Sequence, residues 1–444
     1  MNTVRPLSLL LWFSISLIQL GCEIDQEKID LWKTTENGPK KLAGALIDPE
    51  QPMEIRTNAA IALVEITNWD LYREAFQKMD KGDAQKVIAA LAPQLAQVSK
   101  GENAGKPEET PTKRQIDAKD GLYLLLDFAG PETRDAVEKP LIAWCVEGNY
   151  NIRAMAGYPV RTIAKKIGGP AAQALTKLLN MDQIAVEPIA KLVRDVGDAS
   201  ALAMASKHVA EQLRANVSKI EEKHLITAAV VGGEDVAIAL LDLATDKNLD
   251  AELQRFALRA YSQSIETGYI KPDKAQMDRL FAMAENEEYD KFQREETYLT
   301  LAQAGGKDDV ARVAKLLSSE EFFWRLVGMR CVLRMDGEGQ LEMVLRSKGL
   351  ATGADEIDEV IGWIAKFPKL LPTVRKLLDG GDAFSRAVAV YVLGMKGDKA
   401  EDAPLLEKLA PDKTKLPEGF DHATLGDAAK AALEGLAQKK GSER

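Results

Sequence analysis

Five stretches of this chain open on an arginine, with a small residue three positions later and an apolar one seven positions later. They are "IRTNAAIALVEI" (Arg56, Ala59, Leu63), "IRAMAGYPVRTI" (Arg153, Ala156, Val160), "QREETYLTLAQAGG" (Arg294, Thr297, Leu301), "WRLVGMRCVLRM" (Arg325, Gly328, Val332) and "SRAVAVYVLGMKGD" (Arg386, Ala389, Leu393). The third and seventh positions fall on one face of an α-helix, and a small residue there lets a neighbouring helix approach closely. Arg294 to Arg325 is 31 residues, and Arg325 to Arg386 is 61, close to two such steps. A step of 31 from Arg153 reaches "DQIAVEPIAKLVRDVGDASALAMA", and the same step back from Arg255 reaches "EKHLITAAVVGGEDVAIALLDLA". Both lack the arginine but keep the form of helix, glycine break, helix. The breaks fall at Gly168-Gly169, Gly197, Gly232-Gly233, Gly268, Gly305-Gly306, Gly337 and Gly397. Glycine just past a helix end supplies the left-handed residue that terminates it. Helical hairpins recurring every ~30–40 residues predict an all-α chain, an α-solenoid in which each hairpin buries its apolar face on the next.

These units resemble HEAT repeats, in particular the short repeats of bilin-lyase-like proteins, over residues 40–410. The resemblance implies a right-handed superhelix of stacked helix pairs. It also implies a structural ladder formed by Arg56, Arg153, Arg294, Arg325 and Arg386. Each guanidinium would meet carboxylates from the preceding turn or the adjacent repeat. A partly buried guanidinium has to be hydrogen-bonded. Acids stand just before several arginines: Glu54, Glu252, Asp290, Glu320, Glu321 and Asp382. The unit at 355–378 departs from the pattern, with Glu356 or Ile357 in the arginine's place. The Trp, Gly, Tyr and Pro positions of tetratricopeptide repeats are not visible.

The N-terminus carries a different message. "MNTVRPLSLLLWFSISLIQLGC" has Arg5, then an apolar run from Leu7 to Leu20. That run is shorter than the ~20 residues of a membrane span and fits the core of a secretory signal. Leu20-Gly21-Cys22 resembles the lipobox of bacterial lipoproteins, although Gln19 stands where that family usually has Leu. The resemblance implies acylation of Cys22 and a stable anchor, each buried CH₂ contributing ~0.8 kcal/mol. Glu23 follows Cys22 where an inner-membrane lipoprotein of many diderm bacteria carries Asp. The cell envelope is the expected location, the outer membrane more so than the inner. A plain signal peptide cut nearby and an uncleaved anchor are the alternatives.

The expected organisation is a signal over 1–21 and N-terminal helices with the first repeat over 22–98. An exposed polar loop over 99–114, the main repeat array over 115–410 and a C-terminal loop with a capping helix over 411–444 complete it. In that last helix Leu425, Ala429, Leu433 and Leu436 share one side. The formal net charge of −10 disfavours a nucleic-acid surface. Cys145 and Cys331, 186 residues apart among helix formers, read as buried free thiols. His208, His224 and His422 have no metal-ligand spacing, and no nucleophile elbow, HExxH, P-loop or dinucleotide fingerprint is present. The glycine pairs of "IGGPAAQAL" and "VVGGEDVAI" read as turns, and the acids of "GADEIDEV" and "ENEEYD" as solvated helix termini. No catalytic residue, metal or cofactor is assigned. The expected function is an interaction scaffold that holds another envelope protein. A peptide- or small-ligand-binding lipoprotein is the second reading.

Overall fold

The computed structural model describes residues 24–100, 111–147, 155–180, 186–347 and 349–438. The fold is all-α, a solenoid-like array of helical hairpins. The described residues hold no strand, only an isolated antiparallel bridge between Lys415 and Thr424. The chain forms two compact units that meet in sequence at Lys219 and Ile220, a division inside the stretch read from sequence as one array.

The first unit runs through α1 (Gln26–Trp32), α2 (Gly38–Ile47), α3 (Met53–Glu65), α4 (Trp69–Lys78), α5 (Lys81–Lys100), α6 (Lys113–Leu125), α7 (Pro131–Glu147), α8 (Val160–Ile167), α9 (Gly169–Thr176), α10 (Val186–Val196) and α11 (Ala199–Ala215). The second holds α12 (Glu222–Val231), α13 (Glu234–Thr245), α14 (Ala251–Glu266), α15 (Lys274–Glu285), α16 (Lys291–Ala304), α17 (Val310–Ala314), α18 (Phe322–Leu345), α19 (Ala354–Ile364), α20 (Leu371–Gly380), α21 (Ala383–Lys396), α22 (Lys399–Leu409) and α23 (Leu425–Gln438). Here the first helices of successive hairpins pack in series: α12 on α14, α14 on α16, α16 on α18, and α19 on α21.

The boundaries follow from local chemistry. Asp198, Asp250, Asp273, Asp290, Asp382 and Asp398 each accept backbone N–H bonds at the start of a helix. Such a cap contributes ~1 kcal/mol. The repeat positions point inward: Ala59, Leu63, Leu301, Val332, Ala389 and Leu393 are fully buried. Gly328 shows why the third position is small, since a Cβ there would lie 2.8 Å from Leu316 Cβ. Within α18 the expected glycine break is a kink at Asp336 (φ −154°, ψ 59°). Asp336 accepts from Gln340 and pairs with Lys307 at 3.2 Å. Helix α23 packs on α21 and α22, and Leu425, Ala429 and Leu436 are buried while Leu433 is half-buried.

Candidate functional site

Arg56, Arg294, Arg325 and Arg386 share one register. The backbone N–H of each donates to the N-cap carbonyl four residues earlier: Pro52, Asp290, Glu321 and Asp382, at 3.1, 3.1, 3.2 and 2.9 Å. Each arginine therefore closes the first turn of its helix. The side chains of Arg56, Arg294 and Arg386 then turn back to the end of the preceding helix, whose last carbonyls have no partner inside that helix. Arg56 Nε donates to Leu46 O (2.9 Å), Arg294 Nε to Ala284 O (3.0 Å) and Arg386 Nε to Leu378 O (2.9 Å). Arg325 donates from Nη1 to Ser319 O (3.1 Å) and Glu320 O (2.7 Å), and from Nε to Leu350 O (3.1 Å). A cation at the C-terminal end of a helix also meets the negative end of its dipole. At Arg56, Arg294 and Arg386 the charged residue at the head of a buried helix thus caps the helix before it, whereas Arg325 ties the turn before its own helix to the loop after it.

The remaining guanidinium protons find different partners. Arg56, 2% exposed, forks onto Asp83 in the first turn of α5, with Nη1–Oδ1 at 2.8 Å. Arg386 reaches Asp412 at 2.7 Å, and Arg325 reaches Glu356 at 3.5 Å. Arg294 has its guanidinium 4.7 Å from the centroid of Trp324. The three carboxylates, Asp83, Asp412 and Glu356, come from a later element, the second of the two sources the resemblance implied, and not from the preceding turn. Asp290 and Asp382 cap their own helices, Glu321 pairs with Lys291 at 2.8 Å, and Glu54 and Glu252 lie in first turns. Asp290 and Asp382, four residues before their arginines, are held by the cap geometry of the same turn.

Two residues do the same task without having been recognised in the sequence. Arg134 closes the first turn of α7 on Gly130 O (2.8 Å) and donates to Leu126 O (3.1 Å). Its third-position residue is Val137 rather than a small one, which hid it. In α14 the register position is Gln254, not Arg255: its N–H bonds Asp250 O at 3.0 Å and its Nε2 donates to Asp246 O at 2.5 Å. Gln293 Nε2 then donates to Gln254 Oε1 at 2.7 Å, both side chains buried. In α19 the place belongs to buried Ile357, whose N–H bonds Gly353 O at 3.0 Å. Counting four residues from each helix cap is the signal that would have found Arg134 and Gln254.

Cys22 and Arg153 lie outside the described residues. The helix expected to follow Arg153 begins only at Val160, with Pro159 at its N-cap, so Ala156 is in a bend and not on a helical face with Val160. That bend is held by a buried ion pair. Lys119 Nζ lies 2.5 Å from Asp120 Oδ1 and donates to Ala156 O (2.6 Å) and Tyr158 O (2.8 Å). These use all three ammonium protons. Asp120 Oδ1 accepts from Tyr158 N at 2.9 Å. Gly157, at φ +61°, is required because a Cβ would come 2.1 Å from Asp120 Oδ2. Burial pushes Lys119 down and Asp120 up, each opposed by the other's charge. With its protons committed, this lysine is a clamp on residues 156–158.

The other sequence candidates resolve into structure. Gly233 N donates to Tyr269 O at 3.2 Å. The Asp198 carboxylate lies where a Cβ on Gly169 would stand, at 2.4 Å, so the start of α9 already faces an acid of the chain. Glu356 accepts from Thr352 N, and Glu288 pairs with Lys247. Cys145 and Cys331 are free and buried, and burial pushes both thiols up to about 12, far from the thiolate needed for reactivity. His224 Nδ1 accepts from Glu221 N, and His422 Nδ1 lies 2.7 Å from Tyr391 OH. Among the described residues no group of three or more His, Cys, Asp or Glu is placed to hold a metal.

What the second unit does present is an aromatic edge. Two residues before three of the arginines stands a phenylalanine: Phe292, Phe323 and Phe384. Phe292 is 60% exposed and meets Phe323 edge-on at 6.4 Å. Phe323 meets Trp324 at 5.0 Å, and Trp324 meets Tyr298 at 6.2 Å. Lys291 Nζ lies 4.2 Å over Phe323. The edge is thus aromatic, open to solvent at Phe292 and flanked by the Lys291 and Arg294 cations. The signal in the sequence is the phenylalanine two residues before each of these three arginines.

No family model and no curated protein matches the chain. A solved crystal structure described as that of an engineered protein aligns over 93% of this chain and 99% of its own, at 16% identity and a TM-score of 0.25. Among the described residues no helix is long and apolar enough to cross a membrane.

Proposed function

We propose that the chain is a lipid-anchored helical-repeat scaffold of the bacterial cell envelope, tethered through Cys22 and holding another envelope protein on its second unit. The observation that carries this reading is Phe292, 60% exposed at the end of a continuous aromatic cluster. Large aromatics exposed beside cations supply contact area at low entropic cost, and they are enriched where proteins bind one another. The buried thiols and the fully bonded Lys119 support binding over chemistry. The outer membrane is the proposed site of the anchor.

Two measurements test the reading. A palmitate analogue fed to cells should label the wild type and not Cys22→Ser. A Cys22→Ser protein that still takes up label and stays with membranes would end the lipoprotein half. A photo-crosslinker placed at position 292 in cells should give a discrete protein adduct, and one at Lys139 should give none. Equal adducts at both positions, or none at either, would end the scaffold half.

A further inference from the structure

Where a later segment reaches an apolar position, the chain covers it: in the loop over 411–424, Phe420 packs on Phe384 at 5.6 Å and on Tyr391 at 5.7 Å. The first hairpin is different. Helix α1 buries Ile29 and is tied to α3 by Asn58 Nδ2 to Gln26 Oε1 (2.8 Å) and by Lys33 Nζ to Glu65 Oε2 (3.0 Å). With that face fixed, Leu31 stands off it and is 59% exposed. Trp32 beside it is half-buried, with Lys41 Nζ 5.8 Å from its ring centroid. Residues 33–37 return the chain, so Lys40 and Lys41 at the start of α2 stand at the same end of the hairpin as Leu31 and Trp32 at the end of α1. Between Leu31 and Lys41 the sequence has three lysines and one glutamate, in a chain of net charge −10.

Resting on the reading that Cys22 carries the anchor, we propose that this hairpin tip, Leu31 and Trp32 with Lys40 and Lys41, is a lipid-facing surface that seats the first unit on an anionic bilayer. The tether says what covers it. Four peptide steps join Cys22 to Gln26, at most about 14 Å when extended, and the helix adds about 7.5 Å, so Leu31 stands no more than about 22 Å from the acylated residue. The bonds from α1 to α3 keep the tip from swinging free of the unit. An apolar side chain, a tryptophan and lysines at one end are what a bilayer surface receives: the leucine enters the headgroup boundary, the indole lies at it, and the lysines meet lipid phosphates. Glu27, one turn before Leu31, and Glu36 in the loop are exposed, and they confine the contact to the tip. The acyl chains hold the protein at the membrane, and the tip sets how the first unit stands on it.

The test uses the protein expressed at full length, extracted from membranes and returned to vesicles of phosphatidylethanolamine and phosphatidylglycerol, a fraction of whose headgroups carry a nitroxide. A fluorophore is attached at Asn37→Cys, in the exposed loop of the tip, or at Lys139→Cys, exposed in the same unit. Cys145 and Cys331 are buried and stay unlabelled. Emission at 37 should be quenched at least about twofold more than at 139, because only the first stands within the headgroup layer. Adding Leu31→Glu, an exposed change that keeps the helical circular dichroism, should bring quenching at 37 down toward that at 139. Equal quenching at the two positions, or quenching at 37 that ignores Leu31→Glu, would overturn the proposal. Mass spectrometry of the same preparation separates the two levels. An acylated, vesicle-bound protein with no excess quenching at 37 sinks the seating and leaves the anchor standing, whereas an unacylated protein that leaves the vesicles sinks both.

Discussion

Arg56 in the first unit and Arg294 in the second hold the same place, closing a helix's first turn and capping the helix before it through Nε. They differ in what receives the rest of the guanidinium. Arg56 is 2% exposed and forks onto Asp83. Arg294 is half-buried and lies on Trp324. A carboxylate fork fixes direction and uses up in-plane N–H donors of the guanidinium. A ring offers only one face to the cation and leaves its edge for other rings, here Phe323 and, beyond it, Phe292. One task, capping, is common to both arginines, and the leftover donors decide whether a repeat is sealed or open. The first unit takes sealing furthest at Lys119–Asp120, where both charges are out of water.

That contrast can be broken most forcefully at Lys119. Lys119→Met leaves Asp120 buried without its cation, and the carbonyls of Ala156 and Tyr158 without their donor. Breaking a buried pair costs about 3–5 kcal/mol. Urea unfolding should show the first unit losing that much, and Lys119→Met combined with Asp120→Asn should recover part of it. A single-variant loss below about 1 kcal/mol would mean that the pair does not hold the bend.

The next effect compares the two clamps directly. Arg56→Ala should cost about 2–3 kcal/mol, the range for bonds to a charged group. Arg294→Ala should cost about 1 kcal/mol, having a single carbonyl bond and a ring contact to lose. Hydrogen exchange should localise each loss to the helix concerned and its neighbours, since a repeat array transmits stability mainly to adjacent units. Equal losses would erase the distinction between sealed and open repeats.

Acid sharpens the same pair. The hydrogen bond from Arg56 holds the Asp83 carboxyl below its ordinary value of 3.8. A carboxylate with a depressed folded pKa contributes stability above its unfolded pKa and loses it as pH falls through the folded value. The penalty of Arg56→Ala should therefore be constant at higher pH and shrink as pH falls below the ordinary value of 3.8, whereas that of Arg294→Ala, on a ring and a carbonyl, should hold steady. Parallel pH curves for the two variants would argue that Asp83 is not the group that matters. The smallest effect is expected at Lys139, paired with Asp135 at 2.7 Å with both side chains about three-quarters exposed. Lys139→Ala should change stability by less than about 0.5 kcal/mol, since water screens such a pair, and so serves as the baseline.

Much of the architecture was legible in the chain itself. Helical periodicity, glycine breaks and a recurring arginine determined an all-α array, because these are local properties set within a turn or two of backbone. The buried third and seventh positions followed from the same geometry. The limits of that reading show at particular residues. Gln254 and Arg134 cap helices as the arginines do, but their neighbours do not match the motif, and only the helix boundaries place them in register. The bend at 156–158 breaks a pattern that Arg153, Ala156 and Val160 spell out in sequence, because Gly157 and Pro159 keep these residues out of a helix and Lys119 holds the bend in place from 37 and 39 residues away. Tertiary structure alone decided the partners. Asp83 meets Arg56 from 27 residues away, a distance no periodicity specifies because connections between helices vary in length. It also decided exposure: Phe292 and Phe384 stand in identical local sequence positions, and one is open while the other is covered. A side chain's register is fixed by its own helix, but its burial depends on what a distant segment such as 411–424 is free to reach.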